Sequence, residues 1–193
     1  MMKPSLLLPF LLVMSVANMK TLNHNEVEQI DFSSFEGHSL VCSSQQDNSD
    51  WKTVEFKNYS ISYPSDKHLI KNPLKGTFTI YLNLRDNITM EINDLSGYNL
   101  SLSEYSRQYL EHLKSQYNTK VLQNIKATTG SLPCQKITCA YDDGHGEIKL
   151  KGMYNIWVKN NWAYTMSFTC APDNFDTLKP IAQKVMDSFK VTK

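Results

Sequence analysis

The sequence lacks an excess of charge of either sign. Lys and Arg number 20 against 19 for Asp and Glu, a formal net charge of +1, and no run of like charges occurs. A phosphate backbone is held by a concentrated basic surface, so nucleic acid is not an expected partner. Glycine and proline are scarce, at 7 residues each, which excludes a collagenous or low-complexity chain. Beyond the N-terminus no apolar run approaches the roughly 20 residues that a bilayer-spanning helix needs. No HExxH, Walker-type loop, GxGxxG or GxSxG occurs, and the five histidines (His24, His38, His68, His112 and His145) are scattered. The expectation is therefore a protein without enzymatic activity or cofactor. What is present is core-forming material: 41% apolar and 11% aromatic residues in 193, enough for one domain with a real core.

The N-terminus reads as an address. Met1-Met2-Lys3 precedes an apolar run from Leu6 to Val16, and Ser15 and Ala17 are small residues at the positions a signal peptidase reads. Cleavage is expected after Ala17, making 1–17 a signal peptide and the mature chain secreted or periplasmic; the other reading is an uncleaved anchor. The first cysteine is Cys42, so no lipid-anchor cysteine stands at the cleavage point. Residues 18–50 turn to Ser, Asn, Gln, His and Glu, with SSQQDNSD at 43–50, and read as a flexible polar segment ahead of a domain over 51–193.

Cys42, Cys134, Cys139 and Cys170 fit an oxidising compartment, where four cysteines commonly form two bridges with three possible connectivities. Cys134 and Cys139 lie five apart in β-like sequence, so on an extended strand they face opposite ways and each needs a distant partner. Closely spaced thiolate pairs of the zinc type are missing, so structural disulfides or buried free thiols come ahead of a metal site.

Alternation then marks out strands. Thr53 to Phe56 and Tyr59 to Tyr63 flank Lys57-Asn58 as a hairpin ending at Pro64. Thr77 to Leu84 and Asn87 to Leu95 read as adjacent antiparallel strands. Ser101-Leu102-Ser103-Glu104 is a capping box, and Tyr105, Tyr109, Leu110, Leu113 and Tyr117 recur at helical spacing, so a helix from Leu102 to about Tyr117 buries an aromatic face and exposes Arg107, Glu111 and Lys114. Lys120 to Thr128 reads as a strand, and Pro133 to Tyr141, Glu147 to Val158 and Trp162 to Cys170 as a meander. In the last of these Trp162, Tyr164, Met166, Phe168 and Cys170 share one face, which predicts period-two burial. A C-terminal helix opens around Asp173 to Asp176, whose carboxylates suit an N-cap, with Pro180 tolerated only in its first turn. Two amphipathic helices and seven or eight antiparallel runs give an α+β fold in which helices sandwich an antiparallel sheet.

The YSISYPSD stretch after VEF, the SLSEY helix opening and YNIWVKNNWAYTMSFTCAPDNFDTLKPIAQKVMDSFKV, in that order, resemble the PsbP-like superfamily, which includes PsbP, Mog and DcrB-like proteins. The resemblance spans roughly 51–193. It implies an antiparallel sheet sandwiched by helices and a protein that works by binding and not by catalysis, in a family whose members bind quite different partners. Tyr63-Pro64 matches the family's YP turn, while Lys67-His68 stand where a Trp is often found. The N-terminal docking segment of plant PsbP has no counterpart, and no metal ligand carries over.

Three places remain for function. Asp142, Asp143, His145 and Glu147 gather three carboxylates and an imidazole in six residues, a candidate divalent-metal loop, although the fixed spacing of a calcium loop is absent and a solvated hairpin connection explains them. Trp157 is core if its sheet is covered on both faces, and a hot spot for a partner if it is not. Asn58-Tyr59-Ser60, Asn87-Ile88-Thr89 and Asn99-Leu100-Ser101 match the glycosylation pattern, which has meaning only in a eukaryotic secretory pathway. The reading is an exported, soluble, non-enzymatic binding or assembly factor whose partner is another envelope or secreted protein. The alternatives are a small-ligand or metal-binding envelope protein, using the 142–147 loop or a groove between sheet and helix, and a chaperone-like or immunity-type DcrB-like protein.

Overall fold

The structure, a computed structural model, describes residues 50–142 and 147–192. The expected signal peptide, the polar segment up to residue 49 with Cys42, and Asp143 and His145 lie outside the described residues. Among the described residues no helix is long and apolar enough to cross a membrane.

Two sheets and two helices make up the fold, and every strand pair is antiparallel. β1 (Trp51–Glu55) and β2 (Tyr59–Pro64) form the expected hairpin, with Val54 opposite Ile61, and the short β10 (Lys190–Val191) pairs with the other edge of β2. The larger sheet runs β3 (His68–Asn72), β4 (Thr77–Tyr81), β5 (Asn87–Asp94), β9 (Trp162–Cys170), β8 (Ile148–Lys159), β7 (Leu132–Asp142) and β6 (Asn118–Thr129). Asn160 and Asn161 both take positive φ, 53° and 62°, which closes the β8–β9 hairpin with a turn whose twist matches its strands. β3 is an addition to the expected strands: its HLIKN sequence is mostly exposed and carries little alternation.

α1 (Leu102–Gln116) and α2 (Pro172–Asp187) cover opposite faces of the large sheet. The capping box of α1 is complete, with Ser101 Oγ accepting from the Glu104 N–H at 3.2 Å and the Glu104 carboxylate accepting from the Ser101 N–H at 2.9 Å. Tyr105, Tyr109, Leu110 and Leu113 turn inward as expected. α2 departs from expectation at both ends of its first half. Its N-cap is Ala171, with no side-chain cap of its own, and Pro180 sits inside the helix, beyond the first turn. Pro180 is on the exposed side, where water can satisfy the carbonyl its missing N–H leaves free.

The main core lies between α2, the small sheet and one face of the large sheet. Ile80, Ile88, Met166, Phe168, Ala182, Val185 and Phe189 are among its members. Each large side chain so enclosed contributes about 1.5–3 kcal/mol from removal of apolar surface from water. The expected period-two burial of β9 holds on this face, but Ala163 and Thr165 on the other face are buried too, with the Tyr105 hydroxyl of α1 beside Thr165. The sheet is covered on both sides at its centre.

Candidate functional site

The described residues among those singled out from sequence do not assemble into one site. Asp142, at the end of β7, accepts a hydrogen bond from the Asn118 amide on the neighbouring strand, and Glu147 pairs with Lys149 two residues on. Each is thus engaged locally. Among the described residues no group of three or more His, Cys, Asp or Glu is placed to hold a metal ion.

The disulfide expectation is corrected for three of the four cysteines: Cys134, Cys139 and Cys170 are buried free thiols. Cys134 and Cys139 do face opposite sides of β7. Cys170 shares the Cys134 face, but it pairs with Lys151, which pairs with Ala140, six residues along β7 from Cys134. At about 3.3 Å per residue that is about 20 Å along the strands, against Cα atoms within about 7 Å for a bridge. Burial instead makes them poor thiolates, pushing Cys139 up to about 11 and Cys170 to about 12, with Cys134 raised as well.

Trp157 is core and not a surface hot spot. It is 0% exposed and its ring centroid lies 4.3 Å from that of Phe189, under α2. The covered sheet accounts for this, since β8 is an interior strand, between β9 and β7, and α2 packs on it.

The opposite face offers what those residues do not. α1 packs on β6, β7 and β8, and Tyr105 in its first half reaches as far as β5, where Asn93 Nδ2 donates to the Tyr105 hydroxyl at 2.9 Å. Past that point no described helix covers the face. The register places Ile70 of β3, Thr79 of β4, Thr89 of β5 and Ser167 of β9 in one row, and His68, Tyr81, Asn87 and Thr169 in the next, all half-buried or exposed. Thr89 and Ser167 share a hydrogen bond at 2.6 Å, and Tyr81, 37% exposed, lies tilted against the His68 ring. This half of the face is neutral, rich in hydroxyls, and edged by one aromatic ring.

Glu91 stands at the border between the covered and open halves. On β5 it is opposite Thr165 and shares a face with Thr89 and Asn93. Its carboxyl is close enough to the Tyr105, Tyr109 and Tyr154 hydroxyls to hold all three against ionisation. Glu91 makes no hydrogen bond or ion pair with a described residue, and desolvation pushes its carboxyl up to about 7. Around it the tyrosines form a continuous cluster: Tyr109 meets Tyr154 at 5.8 Å between ring centroids, the Tyr154 and Tyr141 hydroxyls are in contact, and burial raises each of these phenols. The alternation in NITMEIND assigns Glu91 to the strand's polar face. No signal in the chain tells that a helix stops beside it.

The same arrangement of strands and helices occurs in solved structures. Cyanobacterial PsbP (CyanoP) from Synechocystis matches with a TM-score of 0.58 at 14% identity, over 78% of this chain and 96% of that one. The Ran-binding protein Mog1p of Saccharomyces cerevisiae matches with a TM-score of 0.55 at 10% identity, over 75% of this chain and 97% of that one. No protein-family model and no curated protein matches the sequence. The likeness is one of fold: this chain has the PsbP/Mog-like α+β architecture, as the YP turn and the C-terminal strand–helix sequence led one to expect.

Proposed function

We propose that the chain is an exported, non-enzymatic binding module that engages another envelope or secreted protein through the open half of its sheet and assists that protein's assembly or stability. The observation that carries the reading is the uncovered face: on a sheet whose every other surface at the centre is packed, Thr79, Tyr81, Thr89 and Ser167 remain accessible in register on three adjacent strands. Such a surface offers many neutral hydrogen-bonding groups at little desolvation cost and one aromatic anchor, the composition of a polar, non-obligate interface. That Mog1p, with the same fold, is a Ran-binding protein supports binding as the work of this architecture. The signal-like order of Met1 to Ala17 supports export.

The test is in-cell crosslinking of the tagged chain carrying its own N-terminal segment, with mass spectrometry of what co-purifies, run beside Thr79→Arg, which sets a long charged side chain on the open face. The expected result is one reproducible partner that is lost with Thr79→Arg while the variant still folds. Turnover of a substrate by the pure protein, or a partner equally well captured by the variant, overturns the reading.

A further inference from the structure

Resting on that reading, we infer that the partner bound on the open face presents a lysine or arginine side chain to Glu91. A carboxylate withdrawn from water is costly unless a cation or several donors compensate it. Glu91 has neither among the described residues. Every described group that faces it is neutral: Thr165 from β9, Thr89 and Asn93 along β5, Tyr154 from β8, and Tyr105 and Tyr109 from α1. The Tyr105 hydroxyl already accepts from Asn93. The covered side is closed by buried tyrosines, so only the open side admits a counter-charge, and there the face is formally neutral and offers nothing to compete with it.

A cation arriving from that side meets a carboxylate that is partly desolvated before binding. The pair therefore gains more than a fully hydrated surface pair would, and Glu91 sets both the sign and the position of the partner's key side chain. A partner with an acidic or apolar group at that position is disfavoured, which gives the otherwise neutral face its selectivity.

The probe is the capped tripeptide Ac-Thr-Arg-Thr-NH2, compared with Ac-Thr-Gln-Thr-NH2, titrated into isotopically labelled exported chain and followed by NMR at the backbone of Glu91, Thr89 and Ser167 and at the Glu91 carboxyl carbon. The arginine peptide is expected to perturb these residues, to move the Glu91 titration midpoint down by one pH unit or more, and to bind at least tenfold more tightly than the glutamine peptide. Glu91→Gln removes that preference. Thr89→Lys, which supplies a cation two residues away on the same face, removes it too while Glu91 is still present. An unmoved Glu91 midpoint, equal binding of the two peptides, or perturbations centred elsewhere overturns the inference. The crosslinking result with Thr79→Arg reads capture of the partner and not the Glu91 midpoint, so the open face can stand as a docking surface while the role of Glu91 falls.

Discussion

A carboxyl group that binds its proton more tightly in the folded chain than in the unfolded one favours folding only while it stays protonated. Glu91 is such a group: burial lifts it to about 7 from an ordinary 4.5. Its stabilising share is complete below about pH 4.5, drains as pH rises, and is gone once pH has passed through 7. Glu91→Gln keeps size and hydrogen-bonding capacity without the charge. The variant should match the parent in melting temperature at pH 4 and exceed it progressively up to pH 8, where the gain is about 1–2 kcal/mol; a gap that does not widen with pH would refute the assignment. Gly152 poses a steric question on the same face of the sheet. A Cβ there would lie 2.9 Å from the Tyr154 hydroxyl oxygen and 3.2 Å from the Tyr141 ring, and neither ring is free to move because their hydroxyls are in contact and Tyr154 packs on Tyr109. Gly152→Ala should cost about 1–3 kcal/mol in urea unfolding. Gly97→Ala, where the added atom meets nothing within 4 Å, should change stability by less than about 0.5 kcal/mol.

At the scale of elements, local signals identified α1 and misplaced the start of α2, for a physical reason. Ser101 and Glu104 cap α1 from within its own first turn, so four consecutive residues carry the whole signal. The N-terminus of α2 is held by Asp86, 85 residues earlier: its buried carboxylate accepts from the Ala171 N–H at 3.3 Å and from Asn174 Nδ2 at 2.8 Å, while Asn83 Nδ2 donates to it at 2.6 Å. A negative charge there also complements the positive end of the helix dipole. Asp173 and Asp176, the expected caps, have no such role because the chain turns into the helix two residues before the first of them. Asp86→Ala strands three donors near the helix entry and should cost about 2–4 kcal/mol, whereas Asp176→Ala, exposed on α2, should stay within about 0.5 kcal/mol. Pro180 tests the same helix from inside. With its ring on the solvent side and the helix continuous through it, Pro180→Ala restores a backbone donor and should raise the melting temperature. Loss of stability on that substitution would mean that a bend at Pro180 is required to seat Val185 and Met186 in the core.

Over the whole molecule, alternation fixed which residues share a face, and only tertiary packing decided what lies above each face. Thr165 and Thr79 are both threonines on the polar side of strands, yet Thr165 is buried against α1 and Thr79 is only half-buried, because α1 runs toward β6 and not toward β3. Hence the sheet and its order of helices were legible, while the open half-face and Glu91 were not. The cysteines show the same division. Their spacing correctly separated Cys134 from Cys139 across β7, but export and an even count pointed to bridges, and the register of β7, β8 and β9 leaves no two of the three described cysteines within bonding reach. Cohesion then comes from the core between α2 and the two sheets, where Trp157, Phe168 and Phe189 are fully enclosed, and from the tyrosine layer beneath α1. This has a measurable consequence. A bridge within the domain would restrict the unfolded chain and add about 2–4 kcal/mol, so reduction would lower the melting temperature. With the thiols free and buried, a reductant should leave the melting temperature of the 51–193 region unchanged. Ellman's reagent should leave Cys134, Cys139 and Cys170 unmodified in the native protein, since their thiols are enclosed and their ionisation suppressed by burial, and should label all three once guanidinium unfolds the chain. Native labelling of any of them would show that the sheet opens around it more readily than so tightly packed a ladder allows.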